Sequence, residues 1–294
     1  MIIHTNQEPT KPPRVVLLGA TGFIGAAIQQ QLNSAAITTV ALGSADINLL
    51  DSAASDRLGE ILRPDDSVVV LAALTPDKGR DIATLMKNLA MMQTVCAALE
   101  KSGCGHLVYF SSDAIYGTEV SQVTEETPVA AQDLYGTMHY TREIMARSLA
   151  AVPVLVLRPT VVYGRDDTHN SYGPNRFRKA AQTDGKITLF GGGEETRDHI
   201  YVDDVAALTI RCLLHRSTGM LNVATGVSTS FYEVAETISK QFGGGVEVIT
   251  TPRANPITHR HYDPTNLIKA FPDFSFISLK DGIARVHEGS ANTP

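Results

Sequence analysis

The stretch from Arg14 to Gly25, RVVLLGATGFIG, decides the fold of this chain. Its residues 15–18 are consecutive apolar residues, which is the composition of a strand buried on both faces of a parallel sheet. Three glycines follow at spacings of three residues: Gly19, Gly22 and Gly25. Residues 26–32 then read as the start of a helix. A strand, a glycine turn and a helix in this order are typical of a dinucleotide-binding site.

Each glycine of this turn has its own predicted role. Gly19 permits the tight turn, Gly22 lets the backbone approach a pyrophosphate, and Gly25 lets the helix pack closely against the strand. The helix N-terminus offers unpaired N–H groups and the positive end of its dipole to phosphates. The pattern G-x-x-G-x-x-G is one residue wider at its start than the familiar G-x-G-x-x-G. The alternative to a dinucleotide site is a tight turn between a strand and a helix that binds no ligand. The strands and helices that alternate after it favour the dinucleotide site.

Composition and charge narrow the class of protein. A length of 294 residues suits one large α/β domain, or one domain with a smaller companion. The net charge of -6 argues against nucleic acid as a partner, and no apolar run approaches the ~20 residues of a membrane span. The three cysteines match no metal or redox spacing, which favours reduced thiols, a cytoplasmic location and no metal site.

Apolar runs and helical spacing alternate along most of the chain. Further buried strands are predicted at Thr38–Leu42, Ser67–Leu74, His106–Ser112 and Val154–Val162, and helices at Asp81–Leu99 and Tyr135–Leu149. This alternation predicts a doubly wound parallel sheet, the Rossmann architecture, within a dinucleotide-binding domain at residues 14–164. Residues 1–13 are predicted to be a flexible tail. Residues 165–294 are predicted to form a smaller substrate-binding lobe over the crevice, with 197–224 returning to the Rossmann domain.

The end of the second strand does not decide between NAD and NADP. An acidic residue usually stands there to hold the ribose hydroxyls, but this chain has Gly43 and Ser44. No arginine stands beside them to bind a 2′-phosphate. Asp46 and Ile47 come shortly after, where an acid and an apolar residue would meet the adenine, although a capping or loop role suits Asp46 equally.

Polar residues at the carboxyl end of the fourth buried strand indicate where chemistry takes place. Ligands of parallel sheets lie outside the carboxyl ends of the strands, so Ser111, Ser112 and Asp113 are expected to face the same crevice as the glycine turn. Tyr135 and His139 are four residues apart on a predicted helix and therefore share one face.

The sequence resembles the extended short-chain dehydrogenase/reductase family, and in particular its NAD-dependent epimerase/dehydratase branch of sugar-nucleotide enzymes. The motifs that carry the resemblance, in the family's order, are GATGFIG at 19–25, LAA at 71–73, SSDAIYG at 111–117, YG at 135–136 with Glu143, RPTVVYG at 158–164, RDHIYVDDVA at 197–206 and NVATG at 222–226. They span nearly the whole chain. The resemblance implies NAD or NADP as cofactor, a nucleotide-sugar-like substrate and a homodimer formed through two helices of each subunit, Tyr135–Leu149 among them.

The resemblance also implies a hydride-transfer site. Tyr135 matches the family's acid/base, and Ser112 matches the residue that hydrogen-bonds the reacting oxygen. The implied cofactor-binding residues are Gly19, Thr21, Gly22, Phe23, Ile24, Gly25, Asp46, Ile47, Leu71, Ala72, Ala73, Ser111, Tyr135, His139, Pro159 and Val161. The implied substrate-binding residues are Asp113, Asn175, Arg176, Arg197 and Arg260, and an arginine fork suits a diphosphate.

His139 departs from the family pattern, because the family has lysine four residues after the tyrosine. That lysine binds the ribose of the nicotinamide and lowers the pKa of the tyrosine with a fixed positive charge. Histidine titrates near ~6.5, so a neutral His139 still hydrogen-bonds the ribose but depresses the pKa of Tyr135 much less. Three outcomes stay open: a slow or alkaline-shifted enzyme, another cation near the site, or a cofactor-binding protein without catalysis.

Ala114 argues against dehydration as the reaction of this protein. Family members that dehydrate sugar nucleotides carry Asp-Glu after the catalytic residue, whereas Asp113 is followed here by Ala114. We therefore expect an enzyme that is epimerase-like. A cofactor-binding protein with reduced or lost catalysis and an NAD(P)H-dependent reductase of a small keto compound are the alternatives.

Overall fold

The structure, a computed structural model, describes residues 2–167, 169, 171–253 and 256–291. A seven-stranded sheet with helices on both faces forms its larger part, which confirms the predicted Rossmann class. The spatial order of that sheet is β1 (Ile2–His4), β11 (Ser217–Val223), β7 (Val154–Pro159), β5 (His106–Phe110), β4 (Ser67–Val70), β2 (Val15–Leu18) and β3 (Thr39–Leu42). All neighbours are parallel except β1 and β11, which pair antiparallel.

The remaining elements complete the two faces and the smaller lobe. The other strands are β6 (Gln122–Val123), β8 (Val161–Tyr163), β9 (Lys186–Phe190), β10 (Thr196–Tyr201), β12 (Ser228–Ser230), β13 (Glu247–Thr251) and β14 (His261–Tyr262). The helices are α1 (Phe23–Ser34), α2 (Ala54–Ile61), α3 (Ile82–Ser102), α4 (Leu134–Arg147), α5 (Pro174–Asp184), α6 (Val202–Leu214), α7 (Phe231–Gln241), α8 (Thr265–Ala270) and α9 (Leu279–Ala291).

Alternate residues of each central strand feed two separate hydrophobic clusters. In β2, Val15 and Leu17 pack with α1 and α6, whereas Val16 and Leu18 pack with α2 and α3. All four side chains are buried, which explains why the strand reads as an unbroken apolar run. Helix α4 reaches the second cluster through Ala146 and so lies on the same face as α3.

The chain changes direction across the sheet next to β2. From β2 it moves outward to β3, and it then crosses to the other side of β2 to form β4. The carboxyl ends of β2 and β4 therefore border the crevice at which sheets of this type bind ligands. The glycine turn follows β2 and Leu71 follows β4, so both face this crevice.

The predicted flexible tail is wrong for its first residues. Ile2–His4 form an edge strand whose partners run from Ser217 to Gly219 in β11. Further along, the N–H groups of Asn6 and Thr10 donate to backbone carbonyls at the end of α6 and just after it. The edge of β11 has unpaired backbone groups that a short extended segment satisfies, and hydrophobic patterning does not reveal that kind of pairing.

The smaller lobe has its own core but is joined to the Rossmann domain by strand pairing. Helices α5, α7 and α9 pack around β9. Strand β10 pairs with β8, and β14 pairs with β6, which comes from the first half of the chain. Leu267 of α8 and the nearby Phe271 pack into a hydrophobic cluster of the large sheet. The chain therefore returns to the large sheet after the smaller lobe, as it does earlier in α6 and β11.

Helix α3 is the only described helix that is long and apolar enough to cross a membrane by length and composition. Its mean hydropathy is 1.3, and 33% of the window is buried inside the structure. Buried core helices of globular proteins pass the same test, so one such helix is weak evidence. Residues such as Met92 and Val95 pack this helix against the sheet.

Candidate active site

The glycine turn brings backbone close to backbone at two positions. Gly19 has a φ of +93°, and a Cβ placed on it would lie 2.8 Å from the backbone nitrogen of Ala72. A Cβ on Gly25 would overlap the carbonyl oxygen of Gly19, so α1 packs against the turn as its sequence predicts. No side chain caps the start of α1 at Gly22, and no acidic residue lies in its first turn. This helix end therefore keeps its positive dipole for an anion.

The end of β3 has Gly43 where an acidic side chain is usual, and the Thr21 side chain packs against it. A Cβ on Gly43 would lie 2.8 Å from the Thr21 side chain. Asp46 is exposed, and its carboxylate accepts a hydrogen bond of 2.8 Å from the Gly43 N–H, which closes the loop. Ile47 is buried in the cluster beneath it. Asp46 thus has a loop-closing role, and its contact with an adenosine stays a prediction.

Two contacts position Tyr135 at the start of α4. Asp133 caps the helix by accepting a hydrogen bond of 2.8 Å from the Gly136 N–H. A Cβ on Gly136 would overlap the carbonyl oxygen of Ala114, so the helix starts in contact with the turn that follows β5. These contacts bring Tyr135 beside Ser112, whose hydroxyl acts to lower the pKa of the phenol.

The phenol of Tyr135 is held largely in its protonated form. Burial, and secondly the Asp113 carboxylate, raises its pKa to about 12. The hydrogen bond from Ser112 and the positive charge of Arg142 act in the opposite direction. A base is needed in the phenolate form, so groups that lower this pKa determine what Tyr135 does near neutral pH.

His139 is buried and uncharged. Burial, followed by the charge of Arg142, lowers its pKa to about 3. Its Nδ1 lies 3.0 Å from the Tyr109 hydroxyl, and its ring packs edge-on against Tyr135 at 4.7 Å. Its Nε2 is buried and has no hydrogen-bond partner among the described residues. When the Tyr109 hydroxyl donates to Nδ1, Nε2 carries the hydrogen and is a free donor.

Arg142 lies on the same face of α4 and was missed by the sequence interpretation. It is fully buried, its guanidinium stacks over Tyr109 at 5.3 Å, and one of its N–H groups donates to the Ala72 carbonyl at 2.8 Å. Its spacing of seven residues from Tyr135 and three from His139 is the helical signal that identifies it.

Glu143 and Arg158 form a buried ion pair next to the site. Arg158 donates to both carboxylate oxygens, at 2.9 and 2.7 Å. Ser111 donates to the same carboxylate at 2.5 Å, and the Tyr116 hydroxyl accepts from Arg158. The Ser111 hydroxyl is therefore engaged with Glu143, and its predicted contact with a cofactor stays a prediction.

Asp113 joins the two lobes. Its carboxylate accepts a hydrogen bond of 2.9 Å from Tyr262 and lies 3.7 Å from Arg260. Arg260 also donates to the carbonyls of Tyr116 and Gly117. Arg197 donates to Thr258 near the same position, and burial followed by the charge of Arg260 lowers its pKa. Two arginines and one carboxylate therefore meet at the crevice, although they are distant in sequence.

The other predicted residues lie at several places around the crevice. Asn175 bonds Gly164 and Asp167, and Arg176 stacks over Tyr172, so both contact the loop that precedes α5. These contacts direct Asn175 and Arg176 to that loop, and their predicted role in substrate binding stays a prediction. The remaining predicted cofactor residues begin α1 (Phe23 and Ile24), follow β4 (Leu71, Ala72 and Ala73), end β7 (Pro159) or begin β8 (Val161).

Thiols and metal ligands contribute nothing further to this site. Cys96, Cys104 and Cys212 are unpaired, and burial raises the pKa of their thiols to about 11, 12 and 12. Within the described ranges, no group of three or more His, Cys, Asp or Glu side chains is arranged to hold a metal ion.

Comparison with known proteins assigns the family. The model of the NAD-dependent epimerase/dehydratase family matches residues 15–224, which is most of the chain. This chain belongs to that family. The match covers the glycine turn, α4 and the return of the chain to the large sheet in β11.

Curated relatives of this epimerase/dehydratase protein match along almost their whole length. GDP-L-fucose synthase from Escherichia coli (strain K12) is 25% identical, over 94% of this chain and 95% of the relative. UDP-glucose 4-epimerase from Mycolicibacterium smegmatis is 27% identical, over 94% and 97%. The relatives are enzymes, and the family to which the chain belongs consists of NAD-dependent epimerases and dehydratases.

Solved structures confirm the fold of this family member. UDP-glucose 4-epimerase from Thermus thermophilus, in complex with NAD, has a TM-score of 0.82 and 22% identity, over 96% of this chain and 100% of that one. A GDP-L-fucose synthetase from Naegleria fowleri bound to NADP has a TM-score of 0.83 and 18% identity, over 96% of each chain.

The residues of the crevice fit a dinucleotide. Gly19 packs against Ala72 and Gly25 against the Gly19 carbonyl, and these close backbone contacts fix the uncapped start of α1 at the crevice. The orphaned Nε2 of His139 supplies a buried polar atom that lacks a partner within the described part of the protein. Buried polar atoms without partners are costly, and a bound hydroxyl group would satisfy this one.

Proposed function

We propose that this protein is an NAD(P)-dependent enzyme that acts on a nucleotide-linked sugar and epimerises it. The observation that carries the proposal is the contact between Tyr135 and Ser112 at the carboxyl end of β5. A phenol and a hydroxyl at this position, beside the glycine turn, suit proton transfer to and from a sugar hydroxyl. Family membership supports the reaction class.

In the proposed mechanism, the Tyr135 phenolate removes the proton of a sugar hydroxyl, and Ser112 hydrogen-bonds the same oxygen. NAD or NADP, when bound, would supply the reversible hydride acceptor for the carbon that bears this hydroxyl. Removing the proton in step with the hydride avoids a high-energy cationic sugar, and Tyr135 returns the proton when the sugar is reduced. An epimer results when the keto sugar presents its other face between the two transfers.

The glycine turn and His139 are the proposed cofactor contacts. Backbone N–H groups at the start of α1 would hold the pyrophosphate, and Nε2 of His139 would donate to a ribose hydroxyl. Because His139 is uncharged, its contribution is a hydrogen bond and not a positive charge.

Arg197 in β10 and Arg260 just before β14 are the proposed substrate contacts. Burial, and secondly the charge of Arg260, lowers the pKa of Arg197, and a bound diphosphate would offset this repulsion. Asp113 and Tyr262 complete the polar wall of this part of the crevice. A nucleoside diphosphate linked to a sugar would reach from the arginines to Tyr135.

A two-step experiment tests this proposal. Ligands released from the purified protein are first identified by mass spectrometry, and NAD or NADP is expected. The protein is then incubated with UDP- and GDP-linked hexoses that carry deuterium on the carbons bearing the hydroxyl groups. One sugar should be converted to an epimer that keeps its deuterium, without net consumption of NAD(P)H.

Two other results would contradict the proposal, and each identifies one of the alternatives. A protein that binds the cofactor but changes no sugar of the panel would be a cofactor-binding protein without catalysis. Net consumption of NAD(P)H with an equal amount of reduced product would identify a reductase.

Three unpaired thiols also support a reducing compartment, so we infer a cytoplasmic location.

We also propose that the protein is a homodimer formed through α3 and α4. Apolar side chains on the outer surfaces of these adjacent helices are exposed, by 70% at Ile82, 57% at Met86, 36% at Tyr140 and 50% at Ile144. On each helix the two residues are four apart and so share a face. A second copy of the chain would bury both faces.

Ile144→Glu should convert the dimer to a monomer, because a carboxylate at the centre of an apolar interface loses its hydration. Molar mass from light scattering measures the change. Ile268→Glu on α8, where the side chain is 52% exposed, is the matched control and should leave the mass unchanged. A wild-type protein that is already monomeric would contradict the proposal.

A further inference from the structure

Arg142 is a buried charge that no carboxylate neutralises among the described residues. Its side chain is fully buried, and its contacts are the Ala72 carbonyl, the Met138 sulfur at 3.9 Å and the face of Tyr109. Its Nε has no hydrogen-bond partner in the described part of the chain. A buried charge is expensive unless it is paired, so an arginine in this state indicates that its charge is used.

The side chain of Arg142 extends toward Tyr135. Long side chains on a helix extend toward its N-terminus, and the contact with Met138 shows that Arg142 extends one turn in this direction. The contact with the Ala72 carbonyl brings the guanidinium to the loop after β4, which borders the crevice. The guanidinium also stacks over Tyr109, whose hydroxyl lies 3.0 Å from His139, and the His139 ring packs edge-on against Tyr135. Contacts between neighbouring side chains therefore connect Arg142 to Tyr135.

The other groups near Tyr135 do not provide a positive charge that would stabilise its phenolate. The groups that act on it are the carboxylates of Asp113 and Asp133, the Arg142 guanidinium and the Ser112 hydroxyl, while Tyr109 packs nearby without charge. Both carboxylates disfavour the phenolate. His139 is neutral in its buried position. Arg158 is neutralised by Glu143, so Arg142 is the unpaired cation among the described residues around Tyr135.

We propose that Arg142 is a positioning residue that supplies the fixed positive charge of this site and stabilises the Tyr135 phenolate from within helix α4. The inference rests on the proposed role of Tyr135 and adds to it the origin of the charge. The charge and the hydrogen bond to the ribose are then divided between two residues, Arg142 and His139. Of the three outcomes that His139 leaves open, this arrangement favours the second, another cation near the site.

The test measures the acidity of Tyr135 directly, without substrate. The protein is labelled with 3-fluorotyrosine, whose phenol is more acidic than that of tyrosine, and titrated by ¹⁹F NMR. The Tyr135 signal is the one that disappears in Tyr135→Phe. Arg142→Met should raise the titration midpoint of Tyr135 by on the order of one pH unit, because the phenolate loses a nearby positive charge. Arg142→Lys should keep most of the wild-type midpoint.

Two control variants separate charge from structure. Arg147→Met removes an exposed positive charge from the same helix and should leave the midpoint unchanged. Asp113→Asn removes a carboxylate and should lower the midpoint, opposite in sign to Arg142→Met. An unchanged midpoint in Arg142→Met would overturn the proposal, and so would equal shifts in Arg142→Met and Arg142→Lys.

The titration and the turnover assay test separate proposals, so one proposal can be wrong while the other holds. If the midpoint moves as expected but no sugar nucleotide is converted, the function proposed above is wrong and the coupling of Arg142 to Tyr135 stands. If sugars are converted while Arg142→Met leaves the midpoint unchanged, the enzyme is active and its charge comes from elsewhere. The titration alone therefore decides the assignment of Arg142.

Discussion

Tyr135→Phe should lower turnover of the nucleotide sugar by about 10²- to 10⁴-fold, the usual contribution of a positioned acid/base. The substitution removes the oxygen that exchanges a proton with the sugar and leaves the ring and its packing on His139 in place. Cofactor affinity should therefore change little. Steady-state turnover and fluorescence titration with NADH or NADPH measure the two quantities separately.

The pH dependence of the wild-type enzyme gives a second measure of the same residue. Because the pKa of Tyr135 is raised to about 12, the phenolate fraction grows tenfold for each pH unit below that value. The kcat/KM for sugar oxidation should rise with pH, and Tyr135→Phe should lose this slope. Tyr232→Phe, at an exposed tyrosine of α7, is the matched control and should behave as wild type. Turnover of Tyr135→Phe within tenfold of wild type would exclude Tyr135 as the acid/base.

Glu143→Ala should lower the free energy of unfolding by about 3–5 kcal/mol, because Arg158 is left buried without its carboxylate. The two side chains are 0% and 3% exposed, so water does not replace the lost partner. Ser111 loses its hydrogen-bond acceptor in the same variant. Urea denaturation followed by circular dichroism measures the change.

Replacing both partners distinguishes the lost pairing from the lost volume. Glu143→Met combined with Arg158→Met removes both charges and should recover much of the stability, since a buried ion pair contributes little compared with apolar packing. Asp56→Ala breaks an exposed pair with Lys101 and should have almost no effect. A loss below about 1 kcal/mol in Glu143→Ala would show that the pair is not tightly coupled to folding.

Sequence patterns predict the elements that depend on local features of the chain. The β2 strand, the glycine turn and the start of α1 follow from an apolar run and from glycines whose missing Cβ atoms the structure requires. Strand ends of a parallel sheet share one edge, which is why Ser112 was expected at the crevice. Its place beside Tyr135, implied by the family resemblance, agrees with the structure. The predicted strands at β4 and β5 run a few residues too far, because small and polar residues at a strand end continue the pattern without pairing.

Pairing between distant segments could not be read in the same way. Ile2–His4 form a strand because the edge of β11 needs backbone partners, a requirement that no hydrophobic period records. Arg197 and Arg260 meet only when β10 and β14 lie against the turn after β5. The Asp46 carboxylate accepts a hydrogen bond from the Gly43 N–H and so closes its own loop, a contact that residue type alone does not predict.

The sequence by itself determined the central sheet and the crevice at the carboxyl ends of its strands, since these follow from local periodicity and from the geometry of parallel strands. The expectation that a serine and a tyrosine act together there came from the resemblance to the family. Only the tertiary structure decided the charge of the site. Helical spacing puts His139 and Arg142 on the face that carries Tyr135, but spacing does not tell how far each is buried or what covers it. Burial keeps His139 neutral and leaves Arg142 without a carboxylate among the described residues, because the charge of a side chain depends on its surroundings in three dimensions.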